Sequence, residues 1–362
     1  MTEEFFIYRQ QNYFRLANAD GKVWLMPWRN TATGLELYQP SGWKGKMVKR
    51  LLPLFSWIPF LLRFLHIDVV KIDISPEIKS EIEKVFGVKT FLFSVFMGTP
   101  CSHQKVTIQV YTKEGDILGY CKVTDNPEVW TNFQKEYRFL NELRAKGINE
   151  IPEGLSCQEI KKGEYLFIQS TVKTRHSQYP HEWSEVHNQF MRELYDKTCQ
   201  EMAYEQTDFY RQIKVLEERL GWLGSMRPII EEAIKYVNAL FQGKEISVSA
   251  YHADFTPWNM FVENSRLFVF DWEYALMTCP PGLDKYHFFV QTEIFEKRHG
   301  IEEIWQSFLR SSLDKQSFLE YLLLNMSIYI ERESKETIRL QYRSFELWTT
   351  LIDHTFKQII DI

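Results

Sequence analysis

Residues 247–275 read SVSAYHADFTPWNMFVENSRLFVFDWEYA, a dense set of polar residues woven between two apolar runs. The runs, MFVEN and RLFVFDW, have the composition of short buried strands. Asp271 emerges at the end of the second, where an ionised carboxylate is costly unless it is paired or bound to metal. His252, Asp254 and Asn259 lie in the loop before the first. Asn259 follows Asp254 by five residues, and Asp271 follows Asn259 by twelve. A loop carboxylate, an amide oxygen and a second carboxylate at such spacing can assemble hard oxygen ligands for Mg²⁺ beside a general base. Phosphoryl transfer uses such a set, with metal bridging the phosphates and a carboxylate orienting an acceptor hydroxyl. The plainer alternative is a polar hairpin with incidental acids.

Working outward, residues 4–27 alternate in strand fashion around the turn Asn18–Gly21. Ser75 and Pro76 have the chemistry of a helix start, and Gly87 that of its stop. Three β-branched or aromatic runs follow, KTFLFSVFMG, QKVTIQVYT and ILGYCKVT, which read as an antiparallel meander. Helical spacing of Phe133, Tyr137 and Leu140 then runs to Gly147, and EYLFIQSTV is one more strand. Beyond Thr174 helices are expected over 182–205, 207–220 and 227–241, and again through the C-terminal third. The expected division is an N-terminal extension over 1–87, a β-rich lobe over 88–172, and a helical lobe over 173–362. The last holds the island 247–284.

HADFTPWN (252–259) followed by VFDWE (269–273) resembles the catalytic and metal segments of the aminoglycoside phosphotransferase and choline kinase family, relatives of the protein kinases. The family pattern HxDxxxxN, two short strands, then D-W/F-E is filled at every position. The resemblance implies an α+β, two-lobed protein-kinase-like fold with an antiparallel β N-lobe and a mainly helical C-lobe. A lobe of that kind needs a strand lysine on the phosphates and a helix carboxylate to hold it. GYCKV supplies Lys122, and Glu136 follows fourteen residues later on the next helix. A lysine inside an apolar strand is rarely left unpaired, so this pair has a physical logic of its own; the alternative is a surface lysine on an edge strand.

Carried over by residue, the resemblance makes Asp254 the catalytic base and Asn259 and Asp271 the Mg²⁺ ligands. Lys122 and Glu136 become the phosphate-anchoring pair, and His252 holds the catalytic loop. Asp284, in PPGLDKYHF, either braces that loop or caps a helix. Gln169–Thr171 would face adenine. MGTPCSHQK (97–105) takes the place of the nucleotide loop, where Gly98, Thr99, Ser102 and backbone amides can cradle phosphate. Its single glycine departs from the protein-kinase GxGxxG. The implied cofactors are ATP or GTP with Mg²⁺. No long activation segment follows Asp271, which favours a small-molecule or glycan acceptor over a protein. The rival expectation is a catalytically inactive, kinase-like nucleotide-binding or interaction protein.

Composition sets the outer limits. Over 362 residues, 43 Lys and Arg against 48 Asp and Glu leave a formal charge of −5, so nothing draws the chain globally toward nucleic acid. Five scattered cysteines without a CxxC pair suggest neither a disulfide framework nor a zinc ribbon. HSQYPHEWSEVH (176–187) gathers three histidines at a spacing that fits no zinc helix. The acidic MTEE start is unlike a signal peptide, and a cytoplasmic protein is expected. LLPLFSWIPFLLRFLHI (51–67) is too interrupted by Pro53, Pro59 and Arg63 to span a bilayer. No acid occurs between Glu36 and Asp68, whereas Lys44, Lys46, Lys49, Arg50 and Arg63 do. The segment 43–66 therefore either makes peripheral contact with the inner face of a membrane or packs onto the protein body. The aromatic share of 15% has one clear focus. Phe255, Trp258, Phe268, Phe270 and Trp272 flank the candidate ligands, where they would wall a dry site.

Overall fold

Alternating side chains make the first hairpin, β1 (Phe6–Ala17) and β2 (Val23–Pro27). The Asn18 carboxamide oxygen accepts from the Asp20 and Lys22 amides, and Gly21 adopts the φ of 76° that closes the turn. The computed structural model describes residues 5–28, 30–40, 42–55, 67–100, 104–333 and 342–360. Cys101, Ser102 and the stretch 56–66 with Pro59 and Arg63 lie outside them.

Helix α1 (Trp43–Phe55) follows, and then β3 (Asp68–Ile74) pairs with the free side of β1. The alternation of DVVKIDI is broken by paired valines, which hid this strand in the sequence. Helix α2 (Pro76–Phe86) begins as its residues dictate. Ser75 Oγ accepts from the Ile78 amide, Ile78 and Ile82 are buried, and Gly87 ends the helix at φ 67°. The meander is β4 (Leu92–Met97), β5 (Val106–Tyr111) and β6 (Ile117–Thr124). After α3 (Pro127–Ala145) come β7 (Gly154–Lys161) and β8 (Glu164–Ser170).

These eight strands form one sheet in the order β3-β1-β2-β4-β5-β6-β8-β7, with every neighbouring pair antiparallel. The pairing of β2 with β4 runs the sheet through residue 87 without a break. Val95, Ile108, Val110, Cys121, Val123, Leu166 and Ile168 fill its core, all fully buried.

The remaining elements are α4 (Glu185–Thr198), β9 (Gln200–Ala203), α5 (Asp208–Glu218), α6 (Arg227–Phe241), β10 (Glu245–Tyr251), β11 (Met260–Glu263), β12 (Arg266–Val269), β13 (Leu276–Cys279), α7 (Leu283–Gln291), α8 (Ile301–Arg310), α9 (Lys315–Arg332) and α10 (Tyr342–Ile360). The helix expected over 182–205 stops at Thr198, and residues 200–203 instead pair with β10. The Thr198 hydroxyl accepts from the Ala250 amide and ties the helix end to that strand. Helix α9 is apolar on nearly all sides and lies buried from Phe318 to Ile328 among the surrounding helices.

Packing separates two units: residues 1–145, 149–178 and 261–273, and residues 146–148, 179–260 and 274–362. An antiparallel sheet followed by helices is the α+β architecture expected. The hairpin after the HADFTPWN loop goes with the sheet, since the Val269 amide donates to the Glu150 carbonyl and Gln178 bridges Val262. Among the described residues, no helix is long and apolar enough to cross a membrane.

Candidate active site

In the first unit, Lys122 is the centre of a charge network. It sits near the end of β6, inside the sheet, and is 4% exposed. Its Nζ donates to Glu136 Oε1 at 2.8 Å, to Glu136 Oε2 at 2.6 Å and to Asp271 Oδ1 at 2.6 Å. Glu136 points inward from the buried face of α3, beside Phe133 and Leu140, and its Oε1 also accepts from the Trp272 amide at 3.3 Å. Burial alone would push the Lys122 ammonium down, but Asp271 and Glu136 outweigh it and raise its pKa. The Glu136 carboxyl is raised, chiefly by burial and against the pull of Lys122.

Asp271 is delivered by the β11–β12 hairpin. Asn264 and Ser265 take φ of 50° and 63° at its tip, the two-residue turn that suits right-twisted strands. Asp271 itself holds φ 69°, a left-handed conformation that a non-glycine residue adopts only under constraint. Lys105 donates to its Oδ1 at 3.2 Å and to Glu273 Oε2 at 2.7 Å. Burial opposes ionisation of Asp271, yet Lys105 and Lys122 hold its carboxyl well below the usual range. Its Oδ2 accepts no hydrogen bond among the described residues.

In the second unit, the chain leaves β10 and turns sharply through His252, Ala253 and Asp254. Ala253 is again left-handed, at φ 68°. The Asp284 carboxylate secures this turn, accepting from the His252 amide at 2.9 Å and the Ala253 amide at 3.2 Å. Asp284 is therefore no helix cap: Gly282 holds that position before α7. Burial pushes the Asp284 carboxyl up to about 7 despite those two N–H groups. His252 is fully buried, and its Nδ1 accepts from the Asp254 amide at 3.1 Å.

The Asp254 side chain is about one-third exposed, at 32%. Asn259 Nδ2 donates to Asp254 Oδ2 at 2.7 Å and to its carbonyl at 3.0 Å. With its nitrogen so engaged, the amide presents Oδ1 as a hard oxygen donor that makes no hydrogen bond among the described residues. His287, which the sequence reading did not single out, lies 3.3 Å from Asp254 Oδ1 through Nε2, and its Nδ1 lies 3.4 Å from the Tyr321 hydroxyl. Asp284 and His287 are three apart on α7, so one helix face could have revealed the pair. Lys105 and Glu273 were also missed.

The structure thus groups Lys122, Glu136 and Asp271 in one unit, and His252, Asp254, Asn259 and Asp284 in the other. Gly98 follows β4 directly and Thr99 and Pro100 form a bend after it; the Gly98 carbonyl accepts from Gln104 Nε2 at 2.7 Å. Gln169 is buried in β8, and its Oε1 has no partner among the described residues. A buried acceptor of this kind normally finds a donor. Each unit by itself thus presents one hard oxygen donor, the ionised Asp271 carboxylate in the first and the oxygen-out Asn259 amide in the second.

No family model and no curated protein matches the sequence. Solved structures that the chain is similar to include a thermostable mutant of aminoglycoside phosphotransferase APH(4)-Ia in ternary complex with ADP and hygromycin B, at 14% identity and a TM-score of 0.48, covering 77% of this chain and 97% of that one. A second is aminoglycoside phosphotransferase APH(3'')-Id from Streptomyces rimosus, at 14% identity and 0.40, covering 62% and 89%. A third, assigned as a fructosamine-3-kinase from Haemophilus somnus, has 12% identity and 0.46, covering 77% and 96%. With TM-scores below one half, these likenesses decide neither substrate nor activity.

Proposed function

We propose that this chain is an ATP- or GTP- and Mg²⁺-dependent phosphotransferase that moves a γ-phosphate to a hydroxyl of a small molecule or glycan. The observation that carries the reading is the Lys122 ammonium, buried in a strand and held by both oxygens of Glu136 and one of Asp271. A lysine fixed in this way is a point charge ready for phosphate oxygens. Burying the Lys122 and Glu136 charges against a partly exposed Asp271 with no further use is costly.

Asp254 is the base. Asn259 and His287 each engage one of its oxygens, which orients the carboxylate while a third of the side chain stays open to an acceptor. It accepts, or aligns, the acceptor hydroxyl proton as the oxygen attacks phosphorus. Asn259 Oδ1 and Asp271 Oδ2 would hold Mg²⁺. The metal, when bound, neutralises charge on the transferring phosphoryl group. His252 and Asp284 keep the loop in its strained turn. Gly98, Thr99, Ser102 and Gln169 are the proposed further nucleotide contacts.

Helix α1 favours a peripheral membrane placement on the cytoplasmic face. Trp43, Met47 and Leu51 follow each other at four-residue spacing and are 69%, 43% and 36% exposed, among Lys44, Lys46 and Arg50. Flotation with anionic vesicles at low salt is expected to carry the protein upward, and a Trp43→Ser, Met47→Ser variant that floats equally well removes this placement. The function itself is tested by transfer of labelled γ-phosphate to a panel of hydroxylated acceptors. Asp254→Asn is expected to lower transfer by about 10²–10⁴-fold without loss of fold. Transfer by Asp254→Asn at the wild-type rate would remove Asp254 as the base, whereas wild-type protein that binds nucleotide and transfers to no acceptor would overturn the reading in favour of a catalytically inactive nucleotide-binding protein.

A further inference from the structure

Among the described residues, three carboxylates in the first unit, on Glu136, Asp271 and Glu273, place oxygens within 4.8 Å of one another. Such a cluster repels itself unless a cation sits in it. Two ammonium groups answer it, Lys122 and Lys105, leaving a formal charge of −1. They have different duties. Lys122 is committed inward, bound by both Glu136 oxygens and only 5% exposed at its side chain. Lys105 spans the outer edge, 3.2 Å from Asp271 Oδ1 and 2.7 Å from Glu273 Oε2, and is 21% exposed.

Lys105 stands immediately before β5, at the end of the stretch 97–105 that links it to β4. Its four-carbon stem is flexible and its head is a compact charge, so it can change partners without moving the sheet. Asp271 has no such freedom, being held by its left-handed backbone and by Lys122. The cation that can be exchanged is therefore Lys105.

We propose that Lys105 is a resident cation that neutralises Asp271 and Glu273 in the nucleotide-free protein, so that divalent metal enters with the nucleotide and not ahead of it. This rests on the phosphotransferase reading. Nucleotide phosphates offer the Lys105 ammonium another anionic partner. As the ammonium turns to them, the Asp271–Glu273 edge regains its negative charge and accepts the metal carried by the same phosphates. No covalent bond changes in this step.

The test is direct binding of Mn²⁺, followed by electron paramagnetic resonance of the free ion, without nucleotide. Wild type is expected to bind it weakly, and Lys105→Met, which keeps the stem and drops the charge, at least tenfold more tightly. With a non-hydrolysable ATP analogue present, the two should converge. Lys105→Gln serves if the methionine variant melts early, and Lys84→Met, on an exposed helix face, controls for net charge and should bind as wild type does. Equal Mn²⁺ affinity of wild type and both Lys105 variants would overturn the resident-cation role. Failure of wild type to bind the analogue, with or without Mn²⁺, would instead overturn the phosphotransferase reading, and the resident-cation role with it.

Discussion

Asp271 in the first unit and Asp284 in the second are both carboxylates drawn out of water, and the two regions satisfy them by opposite means. Asp271 is met by ammonium groups, which hold it ionised. Asp284 is met by two backbone N–H groups and, among the described residues, by no cation, so burial lifts its pKa to about 7. A carboxylate that shares one exposed, flexible lysine can trade it for another cation. One clamped by the backbone can only hold shape. The difference separates a carboxylate held by ion pairs from one held by the backbone of a strained turn.

The largest effect should come from breaking the charged region. Lys122→Met leaves Glu136 fully buried and facing Asp271 without its ammonium, and should cost about 3–5 kcal/mol of stability in a urea titration. A loss under about 1 kcal/mol would mean that the network is only loosely buried, and the contrast with Asp284 would collapse.

The two aspartates also predict opposite pH dependence. Asp271 has a depressed folded pKa, so its stabilisation is present above the ordinary carboxylate range and fades as pH falls below about 4. The folded pKa of Asp284 is raised from 3.8 to about 7, so its stabilisation is full below about 4 and is lost as pH climbs toward 7. Asp284→Asn should therefore remove a decline on the order of 2–4 kcal/mol between pH 4 and 7 from the wild-type stability curve. An unchanged curve in that window would place the titration elsewhere.

A smaller effect is expected at His287, which positions Asp254. His287→Gln keeps a donor near Oδ1 and should slow phosphoryl transfer by about tenfold, with a changed rate–pH profile and an unchanged melting temperature. A lowered melting temperature with an unaltered profile would reduce His287 to a packing residue.

Much of this was legible in the sequence because local physics exposes it. Lys122 sits in an apolar strand, Glu136 on the buried stripe of the next helix, and Asp254, Asn259 and Asp271 within eighteen residues around one hairpin. The meander and α2 announced themselves through β-branched runs and a Ser-Pro start with a glycine stop. Strands β3, β7 and β9 did not, being edge strands or carrying polar residues on both faces, where alternation loses its meaning. Lys105 was unreadable for another reason. Its partners are 166 and 168 residues away, and nothing in QKVTI distinguishes a lysine in an ion network from a solvated one. His287 is 33 residues from Asp254, at a distance that only the fold closes.

The central claim is that the Lys122–Glu136–Asp271 network receives a metal–nucleotide complex. Calorimetric titration of ATP and GTP into the wild-type chain and Asp271→Asn, each with and without Mg²⁺, addresses it most directly. The account predicts that wild type binds one of the nucleotides far more tightly with Mg²⁺ and that Asp271→Asn loses this metal dependence. Wild-type protein that binds neither nucleotide, or an Asp271→Asn variant that keeps the full Mg²⁺ effect, would contradict it.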